Sequence, residues 1–149
     1  MKKALIALAL PLSLIACGSG NDTDAVENSM EEVESASVTI VTPMNGAQIS
    51  GTQINVNLSS TVPIVPAGDL TEGTGHHPLY LNAELTPADQ PVPTVPGSIV
   101  HMGDASATFT FEDVEPGDYT MIAVVADGVH VPLQPWVVDT VTFTVVSGN

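Results

Sequence analysis

Ile54-Asn55-Val56-Asn57-Leu58-Ser59 decides the reading of this chain. Apolar and polar side chains alternate through it, which is the period of a strand with one face in a core and the other in water. A helix would scatter Ile54, Val56 and Leu58 around its circumference. The same period recurs outward from here. Thr108-Phe109-Thr110-Phe111 alternates, and Val141, Phe143 and Val145 share one face within Val137 to Val146. Val38-Thr39-Ile40-Val41 opens the series, and Leu79-Tyr80-Leu81 with Leu85 supplies another strand. Tyr119 to Ala126 is almost unbroken apolar sequence, as expected of a central strand. Asn45-Gly46, Pro116-Gly117 and Asp127-Gly128 punctuate the gaps as turns. No segment carries the pattern of a capped amphipathic helix.

Short strands at this spacing predict an all-β domain over residues 38–146, an antiparallel Greek-key sandwich of the immunoglobulin or fibronectin type with about seven strands. Glu115-Pro116-Gly117-Asp118-Tyr119 stands where such sandwiches carry a tyrosine corner. The plainer alternative makes Tyr119 a core aromatic after a turn. Two long irregular stretches, Thr61 to Gly75 and Thr86 to Val100, hold Pro63, Pro66, Pro87, Pro91, Pro93 and Pro96. Loops of that length usually carry function or are disordered.

The N-terminus has a different character. Lys2 and Lys3 precede a short apolar run, Ala4 to Ile15, interrupted by Pro11. The run is shorter than the roughly 20 residues of a membrane span, so residues 1–16 read as a secretory signal. Leu14-Ile15-Ala16-Cys17 resembles the lipobox of bacterial lipoproteins. That resemblance implies cleavage before Cys17, acylation of Cys17 and anchoring in a membrane. Gly18 in the next position favours the outer membrane, by resemblance to sorting in enteric bacteria. The alternative is a plain secretory signal with a chance cysteine. Cys17 is the single cysteine, so the folded domain has no disulfide, thiol nucleophile or thiolate ligand. Residues 17–37 hold Asp22, Asp24, Glu27, Glu31, Glu32 and Glu34 and little to bury, and read as a disordered acidic tether. A short helix over Asp24 to Glu34, with Val26, Met30 and Val33 at helical spacing, is the alternative.

The charge excludes whole classes of chemistry. The chain holds seventeen acids against two lysines and no arginine, for a formal net charge of −15. Both lysines lie in the signal, so the exported product has neither lysine nor arginine. It offers no Schiff-base amine, no guanidinium clamp for phosphate, and no basic footprint for nucleic acid. Gly-x-Ser-x-Gly, His-Glu-x-x-His and a phosphate loop ending in lysine are all missing from the sequence, and the reading is of a protein that is not an enzyme. The acids sit mainly in the tether and in turns, where solvation is the default.

Chemistry then rests on four histidines, all where strands meet loops. His76 and His77 follow Gly73-Thr74-Gly75, His101 precedes Met102-Gly103, and His130 lies in Asp127-Gly128-Val129-His130-Val131-Pro132. Loops gather at the ends of a sandwich, so these imidazoles can meet, and clustered imidazoles without cysteine suit zinc or copper. Met102 is a candidate thioether ligand that would favour Cu(I). Glu72, Asp104 and Asp127 are candidates to ligate directly or to orient the rings. Adjacent residues of a regular strand point to opposite faces, so His76 and His77 share an ion only if their segment is irregular. His76, His77, His101 and His130 are all candidate ligands, with His77, His101 and His130 ranked first as ligands and His76 ranked first as a structural post. The competing reading makes all four histidines posts that brace loop carbonyls, and a third is an organic ligand.

Gly73-Thr74-Gly75-His76-His77, Asp89-Gln90-Pro91-Val92-Pro93, His101-Met102-Gly103, Pro116-Gly117-Asp118-Tyr119-Thr120 and His130-Val131-Pro132, followed by Pro135 and Val137-Val138, occur in that order. Together they resemble domain-of-unknown-function family 4399, found in secreted and periplasmic bacterial proteins, over about Val38 to Val146. The resemblance implies that the four histidine positions belong to the family pattern. It also implies two departures, since the family usually has a third consecutive histidine where this chain has Pro78, and asparagine where it has Val129.

Overall fold

The computed structural model describes residues 35–148. The signal, Cys17 and nearly all of the acidic tether lie outside these residues.

Among the described residues there are eight strands and no helix. They are β1 (Val38–Thr42), β2 (Ala47–Ser50), β3 (Ile54–Ser60), β4 (His77–Leu81), β5 (Ile99–Met102), β6 (Thr108–Phe111), β7 (Gly117–Val124) and β8 (Val138–Val146). Three form one sheet in the order β1-β3-β6, and five form the other in the order β2-β8-β7-β4-β5. The fold is all-β with two sheets. Its eight strands compare with the expected about seven, and one pairing departs from the antiparallel expectation: β2 runs parallel to β8, from Ala47 opposite Phe143 to Ser50 opposite Val146. Every other named pairing is antiparallel. The two strands without a sequence expectation are β2 and β5, each four residues long. Neither gives alternation enough cycles to declare itself.

The sequence period explains the main core. Ile54, Val56 and Leu58 are buried on one face of β3, while Asn55, Asn57 and Ser59 face water. They pack with Val38, Ile40 and Phe111 of the same sheet against Leu79, Leu81, Met102, Met121, Ala123, Val141, Phe143 and Val145 of the other. Asp139 ties the layers, its Oδ2 accepting the Ile40 amide at 2.8 Å.

The larger sheet is also covered on its outer face. Tyr80, Val92, Ile99 and Val124 form a second buried cluster there. Val92 comes from the proline-rich segment between β4 and β5, which folds back over the sheet. The Tyr80 hydroxyl donates to Thr86 Oγ1 at 3.0 Å at the start of that segment. Burial on both faces is why Leu79-Tyr80-Leu81 and the end of β7 read as continuous apolar runs. The functional consequence is that side chains on the outer face of β4 and β5 lie beneath a loop.

Candidate metal centre

Strand alternation sorts the histidines. His77 shares a face with Leu79 and Leu81 and is turned into the main core, where it is 1% exposed. His76, one residue earlier, falls on the outer face with Tyr80. A bridge to Ala126 fixes it there, with His76 N–H donating to the Ala126 carbonyl at 2.9 Å and the reverse bond at 3.0 Å. His101 and Met102 divide in the same way. Met102 joins the main core, and His101 lies on the outer face with Ile99.

The third outer histidine arrives from the turn after β7. Asp127 builds that turn, its Oδ1 accepting the amides of Val129 and Val131, each at 2.9 Å. The His130 amide donates to the Asp127 carbonyl at 3.0 Å, and His130 adopts φ of +70°. A non-glycine residue in the left-handed region is strained, and such strain gathers at functional sites.

The result is a cluster of three imidazoles, His76, His101 and His130, offering nitrogens that all lie within 4.8 Å of one another. His76 Nε2 stands 3.1 Å from His101 Nδ1 and 3.1 Å from His130 Nδ1. The His76 and His101 rings are stacked at 5.4 Å, and His130 meets each of them edge-on at 4.9 and 4.6 Å. His101 Nε2 donates to the Val92 carbonyl at 3.1 Å, which leaves Nδ1 of that ring as a bare lone pair. The same Val92 donates its amide to the His130 carbonyl at 2.8 Å. Val92 therefore holds both half-buried histidines from above.

Protons alone satisfy this cluster poorly. With His101 Nδ1 bare, only a proton on His76 Nε2 serves that contact, and His130 Nδ1 must then face it as an acceptor too. Moving the proton to His130 leaves two lone pairs opposed at 3.1 Å. A third proton, making an imidazolium, is disfavoured. Burial, then the charges His101, His130 and His77 would carry, push His76 down to about 4, against the opposing pull of Asp127. Burial and His130 likewise lower His101, against the Val92 and Pro93 carbonyls. A cation accepts all three lone pairs. Nitrogens at about 2.0–2.1 Å from a tetrahedral ion stand about 3.3–3.4 Å apart, close to the two 3.1 Å separations here.

The remaining candidates lie elsewhere. The cluster takes in His76 and leaves out His77, the reverse of the expected ordering. The reason is that the glycine-rich approach bridges to Ala126 and keeps regular alternation across the pair. His77 Nδ1 instead donates to the Ser106 carbonyl at 3.4 Å, and its Nε2 is buried with no protein partner. Met102 is on the wrong face of β5 to reach the cluster. Asp104 accepts the Ser106 amide at 3.0 Å and so shapes the turn beside His77. Glu72 is exposed on the surface near Asp69 and Gly128. Asp127 acts on the cluster through the turn it builds. Val92 was not singled out from sequence, because its contribution is made by backbone atoms.

No curated protein matches the sequence. A crystal structure of an engineered protein aligns with 13% identity and a TM-score of 0.42, over 75% of this chain and 20% of that one, a likeness that carries no argument. The profile of a domain of unknown function, DUF4399, matches residues 54–146, a span that runs from β3 to β8 and includes all four histidines. The chain belongs to the DUF4399 family.

Proposed function

We propose that this is a lipid-anchored protein of the bacterial envelope whose domain binds a transition metal through His76 Nε2, His101 Nδ1 and His130 Nδ1, without catalysing a reaction. The observation that carries the metal reading is the convergence of three ring nitrogens, one with its tautomer set by Val92. Binding requires neutral imidazoles, and burial favours the neutral form at His76 and His101. Three imidazoles suit zinc or Cu(II). The thioether that would select Cu(I) is turned into the core with Met102. The test is metal content after exposure of the untagged protein to Zn(II), Cu(II) or Cu(I), followed by dialysis. One ion per chain, lost in His101→Ala and in His130→Ala, is the expected result. Lack of retained metal in the unaltered protein sinks the reading.

The anchoring half of the proposal draws on Lys2, Lys3 and the lipobox-like Leu14-Ile15-Ala16-Cys17, with Gly18 favouring the outer membrane. Mass spectrometry of the N-terminal peptide tests it, since a triacylated Cys17 is expected and an unmodified one refutes it.

An immunoglobulin-like fold is part of the same proposal. Its support is the division of the first edge between sheets, β1 on β3 and β2 parallel to β8, and the Tyr119 hydroxyl donating to the Glu115 carbonyl at 2.8 Å.

One observation favours a second reading, a non-catalytic interaction module in which the histidines only brace loops. The Val92 carbonyl and amide bond His101 Nε2 and the His130 carbonyl, so the proline-rich segment is tied to both histidines through protein atoms. In that case the alanine variants lose thermal stability and metal content is zero throughout.

A further inference from the structure

The cluster supplies three donors, and the residues around it do not supply a fourth. Among the described residues no aspartate, glutamate or further histidine joins the three within ligand range. Among the described residues the carboxylate whose charge acts on His76 is that of Asp127, and its Oδ1 is committed to two backbone amides. Directly across the β4–β5 ladder from His101 stands Pro78, which offers no donor atom. His77, next in sequence to His76, is turned to the opposite side of the sheet. His76 is fully buried, whereas His101 and His130 are half-buried, so the cluster lies nearest solvent on the side of those two residues.

Metal sites closed by four protein ligands are structural, whereas three protein ligands leave a position to solvent or to an incoming molecule. We propose that the metal held by His76, His101 and His130 keeps one coordination position open and takes there a small exogenous anion or the water-derived ligand it displaces. The proposal rests on the metal reading above. It assigns the domain to reversible ligand capture at a bound ion, not to a sealed structural ion.

Co(II) substitution and azide provide the test. The untagged full chain is loaded with Co(II), its cobalt content is measured, and its visible spectrum is followed during azide titration. The expected result is one cobalt per chain and a saturable spectral change reaching one azide per cobalt. Stoichiometric cobalt with a spectrum unmoved by azide overturns the open position while leaving the metal reading intact. A chain that retains no cobalt, zinc or copper overturns both.

Discussion

The carbonyl oxygen of Val92 lies 3.1 Å from His101 Nε2 and fixes which nitrogen of that ring is free. A carbonyl can only accept, so the proton is on Nε2 and the lone pair on Nδ1 points at His76. This gives metal-histidine sites their orientation, since a ligating imidazole usually donates its other N–H to a fixed acceptor. The metal-free protein is therefore expected to show His101 as the Nε2–H tautomer in long-range nitrogen–proton NMR spectra. An Nδ1–H tautomer at His101 contradicts the bond to Val92.

His77 provides the contrast. It is as buried as His76, and each ring has one buried nitrogen without a protein partner, Nε2 in His77 and Nδ1 in His76, but the one side-chain hydrogen bond of His77 is long, at 3.4 Å. Replacing a poorly satisfied buried polar group by an apolar one of similar size costs little and can stabilise. His77→Leu is expected to alter unfolding free energy by less than about 1 kcal/mol and to leave metal content unchanged. His76→Leu is expected to abolish metal retention. Equal loss of metal in the two variants places His77 at the site and refutes the division by strand face.

Strand alternation was legible where it ran long, as in β3 with its buried Ile54, Val56 and Leu58. It also held the means of separating the paired histidines. Alternation alone puts His76 and His77 on opposite faces, and Leu79 and Leu81 mark the core face. The ordering that ranks His77 ahead of His76 as a ligand does not use that division. Other features were not legible because they depend on partners far away in sequence. The parallel pairing of β2 with β8 joins Ala47 to Phe143, and no local pattern encodes it. β5 is marked by burial on both faces in a four-residue strand whose cover comes from Val92. The cluster itself required knowing that the segment between β4 and β5 folds over the outer face.

The histidines should also make the metal-free fold sensitive to acid. His76 is pushed down to about 4 by burial and by its histidine neighbours, from an ordinary value of 6.5. Between those values the unfolded chain takes up a proton and the folded chain does not, so stability falls as pH drops through that window and levels above it. His77 and His101 are lowered as well, chiefly by burial, and act in the same sense. Asp127 opposes this at His76 without reversing it. The Tm of chelator-treated protein is expected to be steady from pH 8 to 7 and to decline from about pH 6.5 to 5, before most carboxylates titrate. His76→Leu should show a shallower decline. A Tm that is flat across the window refutes the burial of neutral histidines.

Gly75 is where backbone packing and site geometry meet. A Cβ at this position would stand 2.6 Å from the Ala126 carbonyl oxygen and 2.6 Å from Val125 Cγ1. Neither neighbour is free to withdraw. The Ala126 carbonyl accepts the His76 amide, and Val125 is fully buried in the main core. The β4 approach must therefore move away from Ala126, and His76, the next residue, moves with it. Overpacking of this kind costs about 1–3 kcal/mol, so Gly75→Ala should lower unfolding free energy by that order. It should weaken metal retention at the same time, because a nitrogen now 3.1 Å from both partners loses its register with them. Chemical denaturation and metal titration on the same preparation separate the two effects. Full stability with intact metal binding in Gly75→Ala would show that the bridge to Ala126 does not set the position of His76.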